Sequence, residues 1–573
     1  MTISGDIKMA SLQTPFIEKM DRNIPWNEYP RPSMVRDSFL CLNGEWDFQI
    51  SDTGTPAEYS EKILVPFCPE SALSGIGRST EYKNLYYRRS FTLPEGFLPE
   101  GYRLILHLGA VDQIADVYLN GEKVAHHEGG YLPFSADITD KLKEENELRV
   151  RARDTLDPKF PYGKQTKKRG GMWYTPVSGI WQTVWLEAVP ESYIKGLKIT
   201  TDDLSATIKV FAEGKKILTL EDGGKTYEFD GEEIKITPEN PKKWSPESPF
   251  VYNFTVKCGD DEVKSYFALR KIEAKIVDGT PRLCLNGEPY VFTGLLDQGY
   301  YPDGIFLPPT SEGYEYDIKR CKEMGFNMLR KHIKVEPEIF YHLCDKLGMV
   351  VFQDMVNNSN YSFFFDTALP TVGMKRFPDF ILHRDPEHRR IFRQHMLDTL
   401  EHLHNFPSIL YYTIFNEGWG QFNADKNYEL AKAADPTRIY DSTSGWFWRS
   451  KSDVDSRHVY FKEVKLGKVT ERPIVISEFG GYSYRVEGHL FGEGNYGYTS
   501  LDDMQAFEDK FVALYENEIL PIIDSGVSAL VYTQVSDVED ETNGLLTYDR
   551  KVTKLNVERI HDLMMRVRNA IKK

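Results

Sequence analysis

From Val291 onward the chain repeats one pattern: a short apolar, β-prone run, then a stretch with helical amphipathic spacing. The runs are Val291–Gly294, Asn327–Arg330, Met349–Phe352, Leu410–Phe415, Ile439–Ser442, His458–Phe461, Ile474–Ser477 and Ala529–Thr533. Amphipathic stretches such as Glu315–Met324, Glu338–Leu347, Glu387–Asn405 and Met504–Asp524 lie between several of them. Strands alternating with helices indicate parallel α/β architecture. Eight strands in about 290 residues predict a (β/α)8 barrel. Little helix separates the fifth and sixth runs, which makes them the least well-defined members of the ring.

Two of the runs stop at a glutamate. One segment is Ile414-Phe415-Asn416-Glu417-Gly418-Trp419; the other is Ile474-Val475-Ile476-Ser477-Glu478-Phe479-Gly480. A carboxylate at the end of a buried strand is costly unless it has a partner or a task. Barrel active sites lie at the C-terminal ends of the strands, so Glu417 after strand four and Glu478 after strand seven are expected on one rim. Paired carboxylates are the chemistry by which most glycosidases cleave sugars. In the retaining version the carboxyl groups stand ~5–5.5 Å apart; one protonates the leaving oxygen and the other attacks the anomeric carbon. Spacing alone does not say which is which. A salt bridge or helix cap would explain either glutamate alone, but explains the pair poorly.

Other residues are expected around the pair. The Asn416 amide offers a donor and an acceptor to a sugar 2-hydroxyl, or else caps a helix. Trp419, Trp446, Trp448 and Tyr482 follow strand ends and offer flat rings to the apolar faces of a sugar. Asp297 after strand one, and Arg330, Lys331 and His332 after strand two, are expected to add polar groups to the pocket. No metal or other cofactor is expected. His402 and His404 are two apart on a predicted helix and so do not share a face. No HExxH, CxxC, GxxxxGK[ST] or GxSxG motif occurs.

The chain before the barrel reads as β. Runs such as Tyr102 to Leu108, Ile114 to Leu119 and Gln182 to Leu186 are separated by Asn43-Gly44, Asn120-Gly121 and Gly129-Gly130 turns. We expect a jelly-roll sandwich over residues 1–190, an immunoglobulin-like sandwich over 191–275 and the barrel over 276–573. The formal net charge of -16 argues against a nucleic-acid partner. The one dense basic run, Lys164 to Arg169, reads as a solvated loop. The six cysteines are scattered, which fits reduced thiols rather than disulfides. Met1 to Met20 lacks the apolar core of a secretory signal, and no run of about 18 apolar residues suggests a membrane span. The expected setting is therefore cytoplasmic, with no membrane partner. The expected partner is a small carbohydrate or glycoside; a homo-oligomer stays open.

Taken together, these residues resemble glycoside hydrolase family 2, the family of bacterial β-galactosidases, β-glucuronidases and β-mannosidases. The resemblance covers essentially the whole chain. Gly109-Ala110-Val111-Asp112, Leu119-Asn120-Gly121, the stretch from His127 to Phe134 and Ser178-Gly179-Ile180-Trp181-Gln182 look like the family's sugar-binding jelly roll. Trp244-Ser245-Pro246 resembles the end of its sandwich domain. Asn416-Glu417 resembles its acid/base pair, and Ser477-Glu478-Phe479-Gly480 its nucleophile segment. The resemblance implies that Glu417 is the general acid/base, that Glu478 is the nucleophile, and that terminal β-glycosides are hydrolysed with retention. The family's β-glucuronidases carry an Asn-x-Lys clamp late in the barrel, and none follows Glu478 here. Val538-Glu539-Asp540-Glu541-Thr542-Asn543-Gly544 stands there instead, with acids that would repel a uronate if they faced the pocket. That favours a neutral sugar, galactose first, with a uronidase as the alternative. The alternative of another class is a non-catalytic carbohydrate-binding protein on the same scaffold. The stretch Tyr361 to Arg376, with its three phenylalanines, is a candidate leaving-group subsite or ordinary packing.

Overall fold

The computed structural model describes residues 12–52, 54–80, 83–368, 378–466 and 471–571. Half of the Tyr361 to Arg376 candidate subsite lies outside them; its three phenylalanines are described and exposed.

The N-terminal part is two antiparallel sheets. A six-stranded sheet is built around Gly44–Ser51, Asn84–Phe91, Asn146–Arg153 and Ile114–Leu119. A four-stranded sheet pairs Val184–Pro190 with Tyr102–Leu108 between two shorter strands. Alternate residues of both, Trp46, Phe48, Leu104, Leu106, Val184 and Leu186 among them, form one buried cluster. This is the period-two pattern of a sandwich closing on its apolar faces. A smaller sandwich follows, with sheets of three and four antiparallel strands over a core that includes Ile199, Ile208, Leu218 and Phe254.

The last part is an eight-stranded parallel sheet curled into a barrel. Its strands are β1 (Phe292–Asp297), β2 (Met328–Lys331), β3 (Val350–Asp354), β4 (Ile409–Thr413), β5 (Ile439–Asp441), β6 (Asp455–Val459), β7 (Ile474–Gly480) and β8 (Val527–Thr533). Each of the eight expected runs overlaps one of them. Phe292, Leu296, Phe352, Tyr411, Val475 and Val531 fill the interior. Residues one register step away, such as Leu295, Leu329, Val351 and Leu530, pack on the outer helical layer instead. The ladder runs from β5 through β1 and β8 to β6, with no ladder between β5 and β6. Strand β5 has only three residues. Side chains bridge the seam: Ser444, just after β5, lies 3.3 Å from Ser456 and 2.9 Å from His458 of β6, Oγ to Oγ and Oγ to Nε2.

A jelly-roll loop lies over the C-terminal face of the barrel. The Tyr162 N–H donates to the Asn357 carbonyl (3.1 Å), and the Ser359 N–H to the Pro158 carbonyl (2.6 Å). The Thr175 N–H donates to Glu539 (2.9 Å). Trp181 is a core element of this junction. Its ring is 1% exposed, its Nε1 donates to the Gly130 carbonyl (2.7 Å), and it meets Phe306 of the barrel edge-on at 5.0 Å. All six cysteines are buried and free. No helix among the described residues is long and apolar enough to cross a membrane.

Trp181→Ala opens a cavity at that junction and should cost about 3–5 kcal/mol. Urea denaturation followed by far-UV circular dichroism should show a lower first midpoint; an unmoved midpoint would show that Trp181 does not hold the two parts together.

Candidate active site

Glu417 reaches the barrel mouth through an irregular extension of β4. Beyond Thr413 the backbone stays beside the segment after β5: the Ile414 N–H donates to the Asp441 carbonyl (2.9 Å), and the Glu417 N–H to the Ser444 carbonyl (2.9 Å). Glu417 itself has φ 51°, a left-handed conformation that costs a side-chain-bearing residue about 1–3 kcal/mol. Gly418 follows at φ 78°, and a Cβ there would fall 2.5 Å from the Phe447 ring. The strain brings the Glu417 carboxylate to His458, Oε1 to Nδ1 at 2.8 Å.

Glu478 arrives by a different device. The register of β7 against β8 shifts between Ile476 and Phe479. Ser477 bonds Ser444 across the seam (3.0 Å) and Ser456 on the neighbouring β6 (2.7 Å), while Glu478 bonds Arg330 and Tyr460. A regular strand would send consecutive side chains to opposite faces; the bulge sends both inward. Glu417, His458 and Glu478 thus each offer one ligand atom within 4.8 Å of the others.

Arg330 organises the floor. Its guanidinium donates to Asp354 Oδ1 (3.0 Å), Glu478 Oε1 (3.1 Å), Asn416 Oδ1 (3.0 Å) and the Ser477 carbonyl (2.9 Å). Asp354 also meets His332 Nδ1 at 2.6 Å. Burial alone would raise the Glu478 carboxyl. The charges of His458 and Arg330 and the Tyr460 hydroxyl, 2.7 Å from Oε2, overcome it and bring the carboxyl down to about 2. Asp354 is likewise held below its ordinary value against burial, by Arg330 and His332. His332 is lowered because burial outweighs its bond to Asp354, which favours the neutral ring.

The expected site residues divide into two groups. Glu417, Glu478, Asn416, Arg330 and His332 converge on one network. Trp446 joins them, its ring 5.7 Å from His458 and its buried Nε1 without a hydrogen-bond partner among the described residues. Trp419 forms one wall, edge-on to Trp173 of the jelly-roll loop at 5.1 Å, with Nε1 donating to the Ser359 carbonyl (3.3 Å). Asp297 lies elsewhere. In register with Lys331, it bonds Nζ at 2.6 Å on the outer face, where Lys331 sits over Phe340 of the helix Glu338–Leu347. The alternation of the strand decides this: Arg330 points in, so Lys331 and its partner point out. Tyr482 also lies behind the wall, 6.3 Å from Tyr532 and below Lys510 of the helix Met504–Leu514. Trp448 lines a separate cavity of about 320 Å³ beside β5 and β6.

His458, Tyr460 and Asp354 escaped the sequence reading. His458 and Tyr460 alternate along a strand that had been recognised, so period two offered a signal for them. Asp354 closes β3 as Glu478 closes its own apolar run, and could have been found on the same grounds. Among the described residues, Glu417, His458 and Glu478 are the only three side chains grouped so as to hold a metal ion. A cation there would face the Arg330 guanidinium, which already neutralises Glu478.

Residues 66–179 match the family described as glycosyl hydrolase 2 galactose-binding domain-like. Residues 189–270 match glycosyl hydrolases family 2, and residues 283–554 match glycosyl hydrolases family 2, TIM barrel domain. A β-galactosidase of Thermoanaerobacter pseudethanolicus is 27% identical over 399 residues, covering 63% of this chain and 51% of that protein. A β-glucuronidase of Bacteroides fragilis is 23% identical over 587 residues, covering 90% of this chain and 80% of that one. The chain spans about half the length of the β-galactosidases it matches. The solved structure of a β-D-glucuronidase from Dictyoglomus thermophilum has the same fold, with a TM-score of 0.74 at 19% identity over 94% of this chain and 98% of that one.

Because Glu478 titrates near 4.3 when unfolded but at about 2 when folded, the folded chain binds fewer protons. Its contribution to stability is full above the unfolded value and is lost as pH falls toward 2. Tyr460→Phe removes a donor to the carboxylate and raises its folded value, so the variant should lose less stability over this range and level off at a higher pH. Urea midpoints between pH 6 and 3 check it; parallel curves for the variant and the parent would show that Tyr460 does not support the charge.

Proposed function

The chain belongs to glycoside hydrolase family 2, and on that premise we propose that it is a retaining exo-β-glycosidase. The observation that carries this reading is the carboxylate pair, with one oxygen of each glutamate within 4.8 Å. That is close to the separation of retaining enzymes and well short of the ~6.5–9.5 Å that leaves room for a water in inverting ones.

In this reading Glu478 is the nucleophile, and its environment suits the role. Arg330, Tyr460 and His458 keep it ionised. The carboxylate attacks the anomeric carbon as the bond to the leaving oxygen breaks, and Glu417 supplies the proton to that oxygen. A covalent glycosyl ester on Glu478 results. Glu417, now ionised, takes a proton from water as the water attacks the same carbon, and Glu478 is released. Two inversions give net retention. Asn416 has its amide oxygen engaged by Arg330 at 3.0 Å, which leaves its NH2 for the sugar 2-hydroxyl. Trp419, Trp173 and Trp446 are the flat walls for a single terminal sugar.

The sugar itself is less constrained. The neutral-sugar reading rested on the acids of the Glu539–Glu541 stretch. In the fold Glu539 accepts from the Thr175 N–H, Asp540 pairs with Arg169 at 3.0 Å, and Glu541 accepts from the Tyr174 hydroxyl and from Asn543. These acids are engaged at the domain junction, so their case against a uronide weakens. The names of the relatives point both ways, to β-galactosidases and to β-glucuronidases.

A panel of aryl β-glycosides, neutral and uronic side by side, tests the activity. Sugar binding without turnover of any member would instead support a non-catalytic scaffold. Glu478→Ala should abolish covalent trapping by a 2-fluoro glycoside, read by intact-protein mass spectrometry; persistent labelling would remove Glu478 from the nucleophile role. Glu417→Ala should slow substrates with poor leaving groups by about 10²–10⁴-fold, and those with very good ones far less. Equal loss on both would count against an acid.

A further inference from the structure

The basic run Lys164–Arg169 has no task in the chemistry above, and the structure divides it. Arg169 pairs with Asp540 (3.0 Å) and approaches Glu539 (3.6 Å) at the domain junction. Lys168 is exposed to solvent. Lys164 turns toward the barrel mouth. The preceding Gly163, at φ 67°, lies so close to the loop after β2 that a Cβ would fall 2.8 Å from the Ile333 carbonyl. Ile333 is the residue after His332. The Lys164 carbonyl accepts from the Tyr174 N–H (3.0 Å), and the Tyr174 hydroxyl donates to Glu541. The Lys164 ammonium stands 5.9 Å from the centre of the Trp173 ring. Trp173 in turn meets Trp419 and Tyr361 edge-on, each at 5.1 Å.

Lys164 is thus half-buried on the pocket wall, among Trp173, His332 and Glu541. Its charge acts on both titratable neighbours, lowering the His332 imidazole and opposing the rise of the Glu541 carboxyl. Among the described residues no carboxylate forms an ion pair with it. Glu541 acts on it from beyond ion-pair distance, and a partly desolvated ammonium without a direct ion-pair partner gains from a ligand that supplies one.

We infer that Lys164, contributed by the jelly-roll loop, binds an anionic substituent, a carboxylate or a sulfate ester, on the sugar that the carboxylate pair acts upon. The inference rests on the glycosidase reading and narrows its substrate class. Lysine is a compact point charge with three donors, suited to one or two oxygens of such a group. Lys164 pairs with neither Glu417 nor Glu478, so it addresses a substituent away from the anomeric carbon. It supplies the positive charge that the missing Asn-x-Lys would have provided, from another domain.

The test compares kcat/KM for the 4-nitrophenyl β-glucuronide and β-galacturonide with the matching glucoside and galactoside, and with a 6-sulfated galactoside. The parent enzyme should prefer an anionic sugar over its neutral counterpart. Lys164→Met, which keeps the stem against Trp173, should reduce that preference by about ten- to a hundredfold, mainly through KM, and leave the neutral sugar nearly unchanged. Lys164→Arg should restore part of it. Dependence on the sulfated sugar alone would assign the anion to a sulfate ester; dependence on the uronides, to a carboxylate. Turnover with an anionic-to-neutral ratio that Lys164→Met does not move, at an unchanged melting temperature, overturns the inference and leaves the glycosidase reading standing. No turnover of any glycoside overturns both.

Discussion

The site depends on one buried cation. Arg330 is 1% exposed and ties together three separate parts of the ring: the side chains of Asp354 on β3, Asn416 beyond β4 and Glu478 on β7, with the Ser477 carbonyl beside it. Two carboxylates would not remain ionised at that depth without it, because burial favours their neutral forms. Removing one partner from such a buried set leaves the others uncompensated, at a cost of about 3–5 kcal/mol. The guanidinium suits the task because its planar fork serves several acceptors at once, which an ammonium could not match in geometry.

Around that cation the barrel departs from regularity where the chemistry needs it. The left-handed Glu417 and the bulge at Ser477–Glu478 each turn a carboxylate inward that a regular strand would have misdirected. The unpaired seam between β5 and β6 is closed by Ser444, Ser456, Ser477 and His458 rather than by backbone. His458 therefore has one ring nitrogen on the seam and the other on Glu417. The jelly roll completes the mouth. Its loop contributes Trp173 to the aromatic wall and engages Glu539, Asp540 and Glu541, residues that looked in the sequence like pocket acids.

Much of this was legible in the residues. Apolar runs of strand length separated by amphipathic stretches report a parallel barrel, because each strand must be covered by side chains inside and by helices outside. An apolar run ending in an acid marks a position on the rim. The weak fifth and sixth strands were legible as weak, and the seam lies there. What misled was facing. Asp297 and Lys331 look like rim residues by sequence position, yet one register step sends them to the outer layer. Tyr482 sits just beyond the Glu478 strand and still packs behind the wall, against Tyr532.

The sequence by itself therefore determined the order of layers and the two carboxylates at strand ends, since hydrophobic periodicity and the cost of burying charge act locally along the chain. Only the tertiary structure decided which polar groups meet: Arg330 with Glu478, Tyr460 with Glu478, and His458 with Glu417. Those pairs join residues from different strands. Their separations are set by barrel closure and one bulge, neither of which has a local signature in the chain.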